Sequence, residues 1–180
     1  MTGGTPVLAP VSYEQFLADV AALAVAIDAS GWRPERLVGI GRGGLAPTLW
    51  LSHATGIPML SIDLSAQDRD FADAPIDRLA ERASAGVRLL FVDDINDSGR
   101  TIASLRARLP HETVRFAVLI DNIGSSARAD YRARTIDRAI DKSRFVFPWE
   151  AVAPRETIVG DAVTVADRLN PASDLPASPP

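Results

Sequence analysis

Apolar residues recur every three or four positions near the start of the chain, as they do along the buried face of a helix. Ser12 precedes this stretch, and Gln15 lies three residues after Ser12, which is the spacing of a capping box. Gly31 lies just beyond the last apolar position and favours a helix end there. The pattern therefore predicts a helix over Tyr13–Ala29, with apolar positions at Phe16, Val20, Leu23, Ala24 and Ile27.

Short apolar runs then alternate with stretches of helical spacing. Runs of this length are typical of buried strands. The predicted strands are residues 37–40, 58–62, 89–92, 114–120 and a short one near Ile136, and the predicted helices are residues 46–54 and 102–109. Strands that alternate with helices favour right-handed crossovers, which place the loops after the strands along one edge of a parallel sheet. We expect an α/β fold, a Rossmann-like parallel sheet flanked by helices.

Three segments stand outside this alternation. Residues 63–77 are polar, acidic and weakly periodic, which predicts a mobile loop and a candidate lid. Residues 145–149 indicate a small C-terminal hood lobe, with hood elements over about residues 134–165. Residues 171–180 are rich in Pro, Ser and Ala and predict a disordered tail. At 180 residues, we expect a single domain over residues 1–170.

Composition and net charge limit the classes of protein to which the chain can belong. Hydrophobic residues make up 47% and charged residues 23%, as in ordinary globular domains. The net charge of −4 disfavours a generally cationic face for nucleic acid. The absence of cysteine excludes disulfides and thiolate chemistry, and the N-terminus lacks the pattern of a signal peptide. We expect a cytoplasmic protein that binds neither membranes nor nucleic acid.

One segment combines acidic and small residues in a way that points to chemistry. Asp93 and Asp94 follow an apolar strand, and two adjacent carboxylates repel each other unless a cation or a sugar diol offsets them. The residues after them, 97–101, form a small-residue loop that opens a helix, and backbone N–H groups in such loops favour phosphate. Together they predict a site for a sugar phosphate with a metal.

Residues 93–101 with their apolar lead-in closely resemble the phosphoribosyl-pyrophosphate motif of the type I phosphoribosyltransferases. Gly41-Arg42-Gly43-Gly44 matches the family's pyrophosphate loop, and residues 147–150 are similar to the C-terminal lobe of bacterial xanthine-guanine and microbial hypoxanthine enzymes. The resemblance implies that phosphoribosyl pyrophosphate binds with Mg2+ to Asp93 and Asp94. The other donor-binding residues that it implies are Arg42, Gly43, Gly44, Asp97, Ser98, Gly99, Arg100 and Thr101.

The same resemblance implies roles in the reaction and a quaternary state. Asp97 matches the family's general base, and Glu150 is a candidate ligand of a second metal. We expect transfer of 5-phosphoribose to a nucleobase, with a 6-oxopurine as the leading expectation, by a homodimer. The lysine with which 6-oxopurine enzymes read the base is missing from residues 120–123. The candidate base-binding residues are Asn122, Arg144 and Phe145.

Two other classes of function compete with this interpretation. Gly39, Gly41 and Gly44 satisfy a GxGxxG fingerprint, with Asp63 about 20 residues on, as in nicotinamide oxidoreductases. A full helix precedes this fingerprint, however, and it leaves residues 93–101 unexplained. A non-catalytic regulator that binds phosphoribosyl pyrophosphate is the second alternative. If it bound nucleic acid instead, a basic patch would be needed, for which the candidates are Arg128, Arg132, Arg134 and Arg138.

Overall fold

The computed structural model describes residues 7–64 and 69–168. The strands are β1 (Leu8–Pro10), β2 (Arg36–Ile40), β3 (Met59–Ile62), β4 (Leu89–Asn96), β5 (Val114–Asn122), β6 (Tyr131–Ile136) and β7 (Arg144–Val146). The helices are α1 (Tyr13–Ala29), α2 (Gly41–Thr55), α3 (Arg69–Ser84), α4 (Arg100–Arg106) and α5 (Arg155–Arg168), and Pro148–Glu150 is a 3-10 turn. No helix among the described residues is long and apolar enough to span a membrane.

The first predicted helix is confirmed as α1. The hydroxyl of Ser12 accepts a hydrogen bond from the Gln15 N–H at 3.1 Å, so the predicted N-terminal cap is in place. Gly31 adopts a φ of 70°, a left-handed conformation that glycine takes at little cost. Because the Cβ positions of α1 repeat with helical period, its apolar residues Phe16, Val20, Leu23 and Ile27 are all buried.

The chain divides into two compact units, Leu17–Asp137 and Met1–Phe16 with Arg138–Pro180. The first contains a five-stranded sheet in the order β3-β2-β4-β5-β6, in which every pair is parallel. Phe91 and Phe116 stack in its core with ring centroids 5.5 Å apart. The α/β fold predicted from the sequence is thus confirmed, and the prediction of a single domain over residues 1–170 stays a prediction.

The strand order locates a ligand site by topology alone. Counted from β2, the order is 2-1-3-4-5, which is the flavodoxin-like arrangement and differs from the 3-2-1-4-5-6 order of dinucleotide-binding domains. In such sheets the chain leaves β2 and β4 towards opposite faces, which opens a crevice at their carboxyl ends. The crevice lies where Gly41 follows β2 and where β4 ends at Asn96.

Several element bounds differ from the prediction because tertiary pairing extends them. Strand β4 continues through the acidic residues to Asn96, since Asp93 and Ile95 pair with Val118 and Ile120 of β5. Helix α2 begins at Gly41, directly after β2, so the predicted glycine loop is the first turn of a helix. Strand β1 and helix α5 were not predicted from the sequence; β1 is three residues long and pairs with β7.

The prediction of a mobile loop over residues 63–77 is wrong from Arg69 onwards. Helix α3 begins there, and Ile76, Leu79 and Ala83 are buried in the core of the same unit. The acidic residues masked this helical spacing in the sequence. Residues 65–68, which complete the predicted lid, lie outside the described residues, as does the predicted tail at 171–180.

The second unit is built around aromatic side chains. Strands β1 and β7 form a two-stranded parallel sheet, in which Ala9 pairs with Phe145. Phe147 and Trp149 stack with centroids 4.7 Å apart, and Trp149 meets Phe16 edge to face at 5.2 Å. Stacked and edge-to-face pairs of this kind add to the free energy gained from burial alone. The predicted hood elements belong to this unit from Arg138 onwards.

Candidate active site

The turn that follows β2 is compressed against the end of β4. A Cβ atom added at Gly44 would collide with the Val92 carbonyl oxygen, and one added at Gly43 would lie 2.6 Å from the Asp94 carboxylate. Thr48 donates to the Gly44 carbonyl at 2.5 Å and holds the turn from within α2. Only glycine allows this approach. The structure thus brings the predicted pyrophosphate turn and the predicted acidic pair together.

Asp93 and Asp94 are half-buried neighbours at the crevice. Each carboxylate accepts a backbone hydrogen bond, Asp93 from the Asp94 N–H at 3.0 Å and Asp94 from the Ile95 N–H at 2.7 Å. Burial, and then the charge of Asp94, raise the pKa of Asp93 well above its usual range. A bound cation would offset both the cost of burying the charge and the repulsion by Asp94. The pair therefore fits Mg2+, which proteins bind with one or two carboxylates plus substrate phosphates.

The loop that follows β4 is held by its carbonyl oxygens. The Asn122 side chain donates to the Asp97 carbonyl at 2.8 Å, and Ser126 donates to the Ser98 carbonyl through its N–H at 3.0 Å and its hydroxyl at 2.8 Å. Gly99 has a φ of 85°, and a Cβ atom there would collide with the backbone N–H of Ala127. Arg100 and Thr101, which begin α4, are exposed. These hydrogen bonds from β5 and from the segment after it fix the shape of the loop.

A polar network next to this loop was not predicted from the sequence. The amide of Asn96 donates to Asp121 at 2.8 Å, to Ser125 at 3.1 Å and to the Ala127 carbonyl at 2.7 Å. Asp121 is fully buried and also accepts from Arg128 at 2.7 Å. The sequence does contain a sign of this network, because each of the two apolar strands has a polar residue near its end, Asn96 in β4 and Asp121 in β5. The strand register pairs these two residues directly.

The predicted base-binding residues are all bonded within the chain. Asn122 is 5% exposed and accepts the Gly124 N–H at 3.1 Å, besides its bond to Asp97. Arg144 and Phe145 belong to the other unit, where Arg144 donates to Glu150 and the Arg138 guanidinium lies 5.3 Å from the Phe145 ring centroid. Their role in binding a base stays a prediction.

Glu150 has structural partners of its own. One carboxylate oxygen accepts the Phe147 N–H at 2.9 Å, which caps the start of the 3-10 turn, and the other binds Arg144. Its role as a ligand of a second metal stays a prediction. Within residues 7–64 and 69–168, no cluster of three or more His, Asp or Glu side chains has the geometry of a metal site.

The arginines considered for a nucleic-acid surface have other partners. Arg128 and Arg132 bind the buried Asp121, and Arg134 makes a two-pronged ion pair with the buried Asp19. Arg138 is itself 5% exposed. The guanidinium groups of Arg128, Arg132 and Arg134 compensate buried charge, and that of Arg138 donates to the Ser143 carbonyl at 2.6 Å, so the four do not form a free basic patch.

Comparison with known proteins decides the family. The model of the phosphoribosyl transferase domain family matches residues 12–153, which is most of the chain. The chain belongs to the phosphoribosyltransferase family. The chain shares its fold with a purine phosphoribosyltransferase from Pyrococcus horikoshii at 24% identity and a TM-score of 0.59, covering 81% of this chain and 96% of that one. The resemblance seen in residues 93–101 is confirmed.

Two further solved structures have the same fold as this chain. A xanthine-guanine-hypoxanthine phosphoribosyltransferase from Helicobacter pylori is 22% identical, with a TM-score of 0.58 and coverage of 79% of this chain and 91% of that one. A hypothetical protein from Neisseria gonorrhoeae with bound ppGpp is 18% identical, with a TM-score of 0.61 and coverage of 93% and 99%. At these identities the likeness concerns the fold.

Family membership and topology together answer the oxidoreductase alternative. The sheet order is not that of a dinucleotide-binding domain, and Gly44 is explained by its contact with the Val92 carbonyl. The resemblance to the phosphoribosyltransferase motif covers the acidic pair and its loop, which the GxGxxG interpretation left unexplained.

Proposed function

We propose that the protein transfers 5-phosphoribose from phosphoribosyl pyrophosphate to a nucleobase, with a 6-oxopurine as the expected class, and releases pyrophosphate. The observation that carries the proposal is the close approach of Gly43 to the Asp94 carboxylate at the β2–β4 crevice, where an added Cβ atom would lie 2.6 Å from a carboxylate oxygen. This approach supports the proposal because a turn suited to pyrophosphate would then lie beside a carboxylate pair suited to a ribose diol. The phosphate loop at residues 97–101 continues from the same strand.

The donor would be bound in three parts. Arg42 is exposed at the first turn of α2, where its guanidinium and the nearby backbone N–H groups would hold the pyrophosphate. Asp93 and Asp94 would hold the ribose hydroxyls and Mg2+, which when bound neutralises charge on the leaving group. The loop residues Asp97, Ser98, Gly99, Arg100 and Thr101 would hold the 5′-phosphate.

The chemistry is a substitution at C1 of the ribose. A ring nitrogen of the base forms a bond to C1, and the bond between C1 and the pyrophosphate oxygen breaks. Positive charge builds on the ribose as the leaving group departs, and the carboxylates at the end of β4 stabilise it electrostatically. The base loses its N–H proton to Asp97, whose side chain is half-buried beside the crevice.

The experiment is a titration of phosphoribosyl pyrophosphate into the protein with and without Mg2+, followed by hypoxanthine, guanine, xanthine, adenine and uracil. Magnesium-dependent binding and formation of one nucleotide, detected by chromatography, are the expected results. The double variant Asp93→Asn with Asp94→Asn should lose magnesium-dependent binding. Donor binding that is indifferent to Mg2+ and to this variant would reject the assignment.

A regulator without turnover is the second candidate, because the Neisseria gonorrhoeae protein of this fold was solved with ppGpp bound. A guanosine carrying two pyrophosphates would suit the same anion-binding turns. The test is competition between ppGpp and phosphoribosyl pyrophosphate, together with the absence of nucleotide formation.

Light scattering of the same sample tests the expected homodimer, and the cytoplasmic location is tested by fractionation of the source cells.

A further inference from the structure

We propose that Asn122 and Ser126 are positioning residues that aim the backbone N–H groups of the 97–101 loop at the donor's 5′-phosphate. This inference rests on the proposed function, in which that loop is the phosphate subsite. It assigns Asn122 a role in donor binding in place of the base contact expected from the sequence. Neither residue touches the donor in this role, because both act through the main chain of the loop.

Three consecutive carbonyl oxygens of the loop are occupied. Asn122 holds that of Asp97 at 2.8 Å, Ser126 holds that of Ser98, and the Ala103 N–H holds that of Gly99 at 2.9 Å. In a trans peptide the N–H of the next residue points away from the carbonyl oxygen. The carbonyls of Asp97 and Ser98, turned towards Asn122 and Ser126, therefore direct the N–H groups of Ser98 and Gly99 to the opposite side, whereas the Arg100 N–H contacts the Ser98 hydroxyl at 3.4 Å. That is the arrangement an anion requires.

The two donors are themselves fixed in place. Asn122 is 5% exposed, and its carbonyl oxygen accepts the Gly124 N–H at 3.1 Å, which sets the orientation of its amide. Ser126 lies between Ser125 and Ala127, and both of these accept hydrogen bonds from the buried amide of Asn96. A rigid support of this kind keeps the loop from rearranging when the ligand leaves.

Gly99 makes the arrangement possible. Its φ of 85° and its missing side chain let the main chain of Ser126 and Ala127 approach the loop directly. The stretch in which 6-oxopurine enzymes are expected to carry a base-reading lysine, residues 120–123, instead carries the Asn122 amide, which donates to the loop.

The test uses ribose 5-phosphate, which carries the 5′-phosphate without the pyrophosphate or a base. Calorimetric affinity should fall about tenfold in Asn122→Ala and about threefold in Ser126→Ala, which keeps the bond from its N–H. Ser126→Thr, which retains the hydroxyl, should restore the wild-type affinity. The affinity is measured with no base present, so a base-reading role for Asn122 would leave it unchanged.

The matched control is Ser52→Ala. The Ser52 hydroxyl donates to the Ile57 carbonyl at 2.6 Å, a bond of the same kind at the far end of α2, so its loss should lower stability without changing affinity. Affinities for ribose 5-phosphate that match the wild type in both Asn122→Ala and Ser126→Ala would overturn the inference. A wild-type protein that fails to bind ribose 5-phosphate would overturn it as well.

The outcomes also separate this inference from the proposed function. Ribose 5-phosphate binding that weakens in the two variants supports the positioning role even if no base is ever converted to a nucleotide. Conversely, nucleotide formation with unaltered ribose 5-phosphate affinity in the variants supports the transferase and rejects the positioning role.

Discussion

Two pairs of acidic residues in the Leu17–Asp137 unit have different surroundings. Asp19 and Asp121 are 2% and 0% exposed, and arginine side chains bind both of them. Asp93 and Asp94 stand side by side at the crevice, where burial and the neighbouring charge raise the pKa of Asp93. Arginine side chains compensate the charge of the first pair inside the protein. In the proposed function the second pair would bind a cation from solution, and its mutual repulsion would lower stability when no ligand is bound.

The sharpest test of this division is Asp97→Asn at the end of the acidic segment. Loss of a general base typically costs about 10²–10⁴-fold, so nucleotide formation should fall by that factor. The amide keeps the shape of the side chain, and the backbone bond from Asn122 remains, so donor affinity and the free energy of unfolding should change little. Single-turnover rates and urea denaturation measure the two quantities. Undiminished turnover would remove Asp97 from catalysis.

The opposite behaviour is expected of Arg134→Met. This change leaves the Asp19 carboxylate buried without its two-pronged partner, which should lower the free energy of unfolding by about 3 kcal/mol. The control is Arg33→Met, whose ion pair with Asp28 is exposed and should contribute less than about 1 kcal/mol. Urea denaturation compares them, and equal losses in the two variants would argue against the distinction.

Gly43→Ala tests the contact between the turn and the acidic pair. The new methyl group would lie 2.6 Å from the Asp94 carboxylate, which must move, so magnesium-dependent donor affinity should fall about tenfold or more. Gly160→Ala is the matched control, because apart from its own helix α5 no atom of the described residues lies within 4 Å of its Cβ position. Calorimetry should show wild-type donor affinity in that control. The same affinity in Gly43→Ala would mean that the contact is irrelevant to binding.

The smallest effect is a change in how stability depends on pH. A raised carboxyl pKa means that the folded state binds the proton more tightly than the unfolded state. Stability without ligand then falls as pH rises from about the ordinary value of 3.8 through the raised pKa of Asp93. Asp93→Asn cannot ionise, so it should raise the Tm by a few degrees at neutral pH, and the gain should disappear in acid.

Asp141→Asn is the control of opposite sign. Hydrogen bonds from the Ser143 side chain and N–H lower the pKa of Asp141, so its stabilising contribution is present above pH 3.8 and is lost as pH falls through the lowered pKa. This variant should therefore have a lower Tm at neutral pH. Thermal scans from pH 3 to pH 8 that show the same trend for both variants would contradict the pKa shift of Asp93.

Local patterns were sufficient for much of the fold. Helix α1 and its cap followed from residues within one turn of each other, and each central strand of the sheet was a continuous apolar run. Helix α3 was missed because acidic residues obscured Ile76, Leu79 and Ala83, which only the core identifies as buried. The strand predicted at residues 89–92 was too short for a similar reason, because pairing with β5 extends β4 through Asp93 to Asn96.

The sequence by itself determined the parallel α/β sheet, the acidic pair in β4 and the small-residue loop that follows this strand, because each depends on neighbours along the chain. Only the tertiary structure decided which of the remaining polar residues surround that loop. Asn122 and Ser126 reach the carbonyls of Asp97 and Ser98 across separations of 25 and 28 residues. Such bonds exist only once the β4–β5 register is formed, and no local pattern encodes the register of a side chain with a distant main chain.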